Sequence, residues 1–441
     1  MARILISYYK VQELGIGKIL AFWDGLFQEL KKQGNDVFVI NTAYFNSYNQ
    51  NTVQDKKLNS YILSKVKEFD PELIITFNHR IPQCILENFK DVPTVIWDGD
   101  ELKYFCDLNY IKNNIARYKL FSIVEDWTSD YLDFGFVQNQ IFSMPPATAV
   151  KSNSMVQDKN ISFLGGIHYD TGKIKSMITS HKYEKQLFAI QQDFLNNPSY
   201  DFQSLFQKHF QQEYDKLGLE CVDLYSFFNY RWLTLSNLLD LGLCISGMRW
   251  DEVIHQMPQL VVAFAKENVW SLEDNERFYN SSKISISPIH PQARGSGFPW
   301  RIYDVMASNA CLVSEYSSDL IKLTKSYVDI PMFKTPWEAR DICKELLVDE
   351  KTRKEIVVAS QRYVDANARW IHRFKQMQEI LGITIVNIDG LGNYTNINQF
   401  EEFHNLVRFN KSVKRTIKLK DKMRLKLWKH LNKKLKKKNL I

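Results

Sequence analysis

The chain has 441 residues, 45% hydrophobic and 24% charged, which excludes a wholly disordered protein and exceeds what one ordinary core holds. Its net charge of +7 is uneven: residues 411–441 carry fourteen Lys or Arg against one Asp, so the remaining body is net acidic. No run approaches the ~20 apolar residues of a membrane-spanning helix, and no basic lead before an apolar stretch marks a signal peptide.

In chain order, RILISYY (3–9) predicts a buried strand, followed by the loop KVQELGIGK and an amphipathic helix in ILAFWDGLFQELKKQG. DVFVINT (36–42), ELIITFN (72–78), PTVIWD (93–98) and KLFSIVED (119–126) predict four more strands with helices between them. Strands that are apolar throughout and alternate with helices form parallel sheets covered on both faces. FSMPPATAVKSNSMVQDKN (142–160) is rich in Pro, Ser and Asn and reads as a linker. ISFLGG (161–166) then restarts the strand–glycine–helix pattern. Residues 172–240 have a helical, aromatic-rich pattern. GLCISG (242–247), LVVAFA (260–265), KISISPI (283–289) and ACLVSEY (310–316) complete a second α/β unit, and 337–382 is helical. The expected division is one Rossmann-like domain over 1–150, a second over 151–365 with an insertion at 172–240, a helix crossing back over 366–385, and a basic tail over 386–441. A ligand cleft is expected between the domains, at the carboxyl ends of the strands.

Six cysteines (Cys84, Cys106, Cys221, Cys244, Cys311 and Cys343) fall at no zinc or redox spacing, which suits a reducing cytoplasm. On a helical wheel of the tail, Val413, Ile417, Met423, Leu427, Trp428, Leu431 and Leu435 share a face. Lys414, Arg415, Lys418, Lys422, Lys426, Lys429, Lys433 and Lys436 lie opposite, with Lys420 and Arg424 interrupting the apolar stripe. Such a helix lies on an anionic membrane surface with its lysine stems extended along the apolar face. A solvated or partner-binding tail and nucleic acid are the alternatives. No base-stacking motif accompanies the charge, so nucleic acid is not the expected partner.

The densest chemistry is in SISPIHPQARGSGFPWRIYD (285–304). A strand is followed by His290-Pro291, a loop with Gly295 and Gly297, and a helix start with Pro299 in its first turn. A helix opening after a glycine-rich loop offers free backbone N–H groups to a phosphate, and Arg294 or Arg301 can add charge-assisted bonds. Asp304 can accept hydrogen bonds from a ribose diol. Together these residues supply what a nucleoside diphosphate needs, although Gly, Pro and His are also routine turn chemistry.

GSGFPWRIYDVMASNACLVSEYSSDL resembles the group-one-like glycosyltransferases of the GT-B fold, particularly their spore-coat-protein-like branch, and is also similar to the family-four group. Those proteins share G-F-P-x-R, an acid three residues on, a small-residue helix and an apolar strand. PTVIWDGDE, MPPAT and ISFLGG agree at the level of the fold. The resemblance implies two Rossmann-like domains and a transferase that draws on a nucleotide sugar, UDP- or GDP-linked, held by the second domain without an obligatory metal. It implies donor contacts from Gly165, Gly166, Arg249, His290, Arg294, Gly297, Phe298, Arg301 and Asp304, with Lys173 and Lys175 as looser candidates. The family-four pattern has glutamates at both ends of an E-x7-E segment. Here Ser296 and Asp304 occupy those positions, so the first acid, a sugar contact in that group, is missing.

The first domain is expected to serve the acceptor. Gly15 and Gly17 suit a phosphate-approaching loop or a tight turn. His79, in TFNHR, follows a strand end and is expected to face the cleft as a base or orienting donor. Asp98 and Asp100 follow another strand end and are the candidate bases for an acceptor hydroxyl, ahead of Glu101. The expected acceptor is a glycan or lipid-linked glycan in bacterial surface-polysaccharide assembly, on the inner face of the cytoplasmic membrane. Three other readings stand beside this one. Asp98-x-Asp100 is the metal pattern of GT-A transferases, which would use Mg or Mn. His290-Pro291 with Ser317-Ser318 fits a CMP-sugar enzyme. Ser296 in place of an acid suits a non-catalytic nucleotide- or glycan-binding structural protein.

Overall fold

The structure, a computed structural model, describes residues 2–8, 19–41, 53–166, 176, 178–196, 207–209, 230–247, 258–265, 269–290, 296–387 and 390–398. The first unit contains β1 (Arg3–Tyr8), α1 (Ala21–Lys32), β2 (Asp36–Asn41), α2 (Val53–Phe69), β3 (Leu73–Phe77), α3 (Gln83–Asn88), β4 (Thr94–Trp97), α4 (Leu108–Asn113), β5 (Tyr118–Ser122), α5 (Thr128–Phe134) and β6 (Ile141–Ser143). The second contains β7 (Lys159–Leu164), α6 (Glu184–Asn196), β8 (Leu243–Ser246), α7 (Leu272–Asn280), β9 (Ser282–Ser287), α8 (Arg301–Ala307), β10 (Cys311–Glu315), α9 (Ser318–Thr324), β11 (Met332–Phe333), α10 (Pro336–Val348) and α11 (Glu350–Asn367). The helix α12 (Trp370–Leu381) and the strand β12 (Tyr394–Asn398) then return to the first unit.

Every strand pairing is parallel: β12-β2-β1-β3-β4-β5-β6 in one sheet and β11-β10-β9-β7-β8 in the other. Two doubly wound parallel sheets in succession are the GT-B architecture of two Rossmann-like domains. In each sheet the chain changes winding direction beside its earliest strand, at β1/β3 and at β7/β9. Crevices at such switch points receive ligands beyond the carboxyl ends of the strands.

The apolar strands are buried on both faces, as helix-covered sheets require. Along α1, Trp23, Leu26, Phe27 and Leu30 fall on one face by helical spacing and pack into the first core. Trp370, Phe374 and Met377 of α12 pack into that same core beside Trp97. Thr148 N–H donates to Ala368 O at 3.0 Å, and the Arg373 Nε–H donates to Pro145 O at 2.7 Å, so the inter-unit segment and the returning chain run together.

Three local expectations are corrected. LVVAFA is a 3-10 turn over Pro258–Ala263, with Val262 84% exposed; among the described residues its pairing with β8 is confined to Phe264 and Ala265 on Ile245. Residues 394–398 lie in a stretch expected to be basic tail, yet they form β12 on the exposed edge of β2, in register from Tyr394 with Val37 to Asn398 with Asn41. The short strands β6 and β11 were not expected at all; with so few residues each, they carry no periodicity to read.

Candidate functional site

At the end of β7 the chain turns through Gly165 and Gly166. Gly165 N–H donates to Ser246 O at 2.9 Å, and a Cβ on Gly247 (φ +143°) would meet Gly165 O at 2.1 Å. Only glycine at 247 allows β7 and β8 to approach this closely. A Cβ on Gly165 would lie 2.8 Å from Phe163 Cζ and 3.1 Å from Arg301 Nη2, so the bare backbone sits directly against a guanidinium.

Two arginines converge on Phe163. The Arg301 guanidinium is 5.3 Å from the ring centroid and that of Arg231 is 5.6 Å away. Arg231, itself buried, donates to Gly166 O at 3.4 Å. Arg301 makes one long hydrogen bond, to Pro288 O at 3.3 Å, and among the described residues no carboxylate forms an ion pair with it. Burial lowers its pKa. Asp304 acts on it only through space, since its own oxygens accept from Thr148 Oγ1 at 2.5 Å and Asn275 Nδ2 at 3.4 Å. A guanidinium has five N–H donors, and one long bond leaves most of them for an anion. Two cations on one ring, beside two half-buried glycines, offer the charge and donors that a diphosphate would need.

The GSGFPWR loop is fixed from beneath. Ser296 O accepts from Ser317 Oγ at 2.5 Å and from Asp319 N–H at 3.1 Å, while Ser317 Oγ also accepts from Leu320 N–H to cap α9. Ser317 is thus a cap and loop anchor in this structure. Phe298 is buried and packs edge-on against Tyr303 in the second unit's core. Gly297 is buried beside it. His290 is half-buried just past β9, after Ile289, whose N–H donates to Glu315 Oε2 at 2.7 Å. Asp304, expected to meet a ribose, is engaged within the protein. Its carboxyl ties α8 to Thr148 and to Asn275 of α7, and burial raises its pKa to about 6.

The first unit's edge corrects two further expectations. His79 is buried and turned inward. Its Nδ1 lies 2.8 Å from Cys106 O and its Nε2 2.9 Å from Tyr118 Oη. A carbonyl only accepts, so Nδ1 carries the proton and Nε2 receives the tyrosine hydroxyl. Burial pushes the pKa of His79 down to about 4, which makes it a neutral strut. Asp98 is fully buried. Ile123 N–H donates to its Oδ1 at 2.8 Å and Tyr131 Oη to its Oδ2 at 2.6 Å, tying β4 to β5 and α5. Burial raises its pKa to about 7. Both side chains are enclosed by the first unit and not open at its edge.

Asp100 remains at the edge. It is half-buried, and its Oδ2 accepts from Asn78 Nδ2 at 2.7 Å. Asn78 Oδ1 in turn accepts from Gly99 N–H at 2.7 Å and Asp100 N–H at 3.3 Å. Asn78 and His79 both take left-handed backbone angles, φ 50° and 55°, which turn the chain sharply at the end of β3. Asp98 and Asp100 therefore have separate partners. Among the described residues no group of three or more His, Cys, Asp or Glu is arranged to hold a metal ion. The two sheets set aside the single-domain GT-A alternative.

Gly15, Gly17, Lys173, Lys175, Arg249, Arg294 and the tail 411–441 lie outside the described residues. Sequence reasoning missed Arg231, Asn78 and Trp300. Arg231 stands in a helical, aromatic stretch, where a lone arginine carries no motif.

Residues 231–379 match the family model described as "Glycosyl transferase-like". That span begins at Arg231 and takes in the whole GSGFPWR segment. No curated protein matches the chain. Among solved structures, it is similar to HepE of Anabaena in complex with UDP-glucose, at 11% identity and a TM-score of 0.49, covering 86% of this chain and 99% of that one. It is also similar to sucrose-phosphate synthase from Thermosynechococcus elongatus (9% identity, TM-score 0.49, 85% and 98% covered). A glycosyltransferase from Rickettsia africae gives 11% identity, a TM-score of 0.47, and 86% and 98% coverage. Identities and scores this low say nothing about substrate.

Proposed function

We propose that this protein, a glycosyltransferase by the family of its second unit, moves a sugar from a nucleoside-diphosphate donor to a hydroxyl of a glycan or lipid-linked glycan. The observation that carries the donor reading is Arg301, a half-buried guanidinium that among the described residues has one long hydrogen bond and no paired carboxylate, against the bare backbone of Gly165. Arg231 adds a second cation on the same ring. Leaving such a cation unpaired is costly unless an anion completes it.

The reaction then needs a base across the cleft, and Asp100 is the candidate. Its carboxylate takes the proton from the acceptor hydroxyl as that oxygen bonds to the anomeric carbon. The bond from the anomeric carbon to the diphosphate oxygen breaks, and the leaving diphosphate carries its electron pair toward Arg301 and Arg231. Asn78 fixes the carboxylate before substrate arrives, which reduces the reorganisation left for the reaction itself. UDP and GDP sugars are the favoured donors, with His290 and Gly297 near the same edge. The basic face of residues 411–441 supports docking on an anionic membrane, in keeping with surface-polysaccharide assembly in a bacterial cytoplasm. Among the described residues no helix is long and apolar enough to cross one.

The test is a thermal-shift screen against UDP, GDP, CMP and their sugars. Stabilisation by UDP or GDP that disappears in Arg301→Ala is expected; no response to any nucleotide would remove the donor site. With a responding sugar, Asp100→Asn should retain nucleotide binding and lose transfer by about 100-fold or more. Full transfer by that variant would reject Asp100 as the base.

A further inference from the structure

The residue before Arg301 points the other way. Trp300 belongs to the second unit's loop, yet its ring contacts are in the first. It stacks on Phe22 of α1 at 3.5 Å between ring centroids and 27° between planes. It meets Trp23 edge-on at 5.2 Å and Phe77, the last residue of β3, at 6.4 Å. A Cβ on Gly99 would lie 3.6 Å from Trp300 Cζ2, so the indole rests on the backbone between Asn78 and Asp100. Gly99 is also the residue whose N–H is held by Asn78 Oδ1.

One dipeptide therefore faces both halves of the cleft. Arg301 looks back to Gly165 and Phe163, while Trp300 reaches across to the segment that presents Asp100. The link between them is short and stiff, because Pro299 precedes the pair and its carbonyl accepts from Ile302 N–H at 3.0 Å. Below, Ser296 is held by Ser317 and Asp319. A pull on Arg301 is passed to the indole rather than lost in a floppy loop. Other contacts join the units: Ala21 N–H of α1 donates to Trp270 O at 3.0 Å, and Lys322 meets Glu125 at 2.6 Å, a pair of exposed side chains that transmits position poorly; neither touches the Gly99 segment.

We propose that Trp300 is a positioning residue that couples filling of the arginine site to the placement of Asp100. This rests on the donor reading above. An anion drawing on Arg301 presses the indole against Gly99 and orders the segment 94–104 with its Asn78-held carboxylate.

Hydrogen exchange of the full chain, with and without UDP, tests this. In the wild type, UDP should slow exchange both around 161–166 and across the cleft in 94–104. In Trp300→Ala, UDP should still bind within about threefold of wild-type affinity and still protect 161–166, but protection of 94–104 should vanish. Trp300→Phe should restore it, because an aromatic ring can still stack on Phe22. Phe22→Ala, which leaves the donor loop untouched, should repeat the loss and serves if Trp300→Ala does not fold. Protection of 94–104 that persists in these variants overturns the coupling, as does a uniform loss of protection that tracks lost UDP affinity. If UDP, GDP and CMP fail to protect any segment of the wild type, the donor reading falls. Control of 94–104 by Trp300 is then decided by ligand-free exchange, which should run about tenfold faster there in Trp300→Ala and unchanged in 336–381. Equal rates would end the proposal.

Discussion

The two edges of the cleft bury charge and polarity in opposite ways. On the first unit's edge, Asp98 and His79 are enclosed by partners from the same unit: Ile123 and Tyr131 for one, Cys106 and Tyr118 for the other. On the second unit's edge, Arg301 is held among aromatic and backbone groups, with no acid paired to it among the described residues. The difference separates scaffold from site. A satisfied buried polar group reports how the fold is tied together, as Arg373 does on Pro145 O, whereas Arg301, with one long bond to a carbonyl, keeps donors for the anion proposed above.

The sharpest way to break this contrast is at Arg301. Arg301→Ala should weaken UDP binding about 100-fold by calorimetry, because two or more charge-assisted hydrogen bonds are lost. Arg301→Lys should recover only part, since an ammonium keeps the charge but not the planar fork. An unchanged affinity would make the second edge as structural as the first.

The complementary expectation is that Asp98→Ala damages the fold. It should lower stability by about 3 kcal/mol in chemical denaturation, because the Tyr131 hydroxyl and Ile123 N–H lose a buried acceptor. The protein that remains folded should bind nucleotide normally. Loss of transfer without loss of stability would return Asp98 to the catalytic list.

His79 and Asp98 should also leave opposite traces in the pH dependence of stability. The His79 pKa falls from 6.5 unfolded to about 4 folded, so below pH 6.5 the unfolded chain binds the extra proton. Its contribution is present above pH 6.5 and is lost as pH falls toward 4. The Asp98 pKa rises from 3.8 to about 7, so the folded state holds the extra proton between those values. Its contribution is present below pH 4 and is lost as pH rises toward 7. His79→Gln should remove the first slope and Asp98→Asn the second, read as urea midpoints from pH 4 to 8. A shared slope in both variants would mean the two groups titrate as one unit.

The smallest effect is expected at Lys322. Its ion pair with Glu125 spans the two units, but both side chains are more than half exposed. Lys322→Ala should leave the melting temperature unchanged within error. A clear drop there would show that surface charge, more than Trp300, holds the two faces together.

Much of the fold was legible in the sequence. Apolar strands such as RILISYY and ELIITFN, spaced by amphipathic helices, predict parallel sheets because only helix-covered strands can be apolar on both faces. Failures came where a long-range partner decided the outcome. LVVAFA is as apolar as a core strand, yet it touches the edge of β8 only at its end, through Phe264 and Ala265 on Ile245, and Pro258–Ala263 turn as a 3-10 helix. Residues 394–398 read as tail, and the free edge of β2 made them a strand.

The site divides in the same way. Its sequence alone determined that a glycine-rich loop, Pro299, Arg301 and a helix start stand in the order an anion requires, because these are local backbone properties. Tertiary structure alone decided where the charged side chains look. Asp98 and Asp100 are two residues apart on a strand end, and one is locked against Tyr131 while the other faces Asn78. Arg231 meets Arg301 across Phe163 from seventy residues away, and Trp300 finds Phe22 in the other unit. Burial and ion pairing depend on what the rest of the chain brings alongside, and no spacing within a motif encodes that.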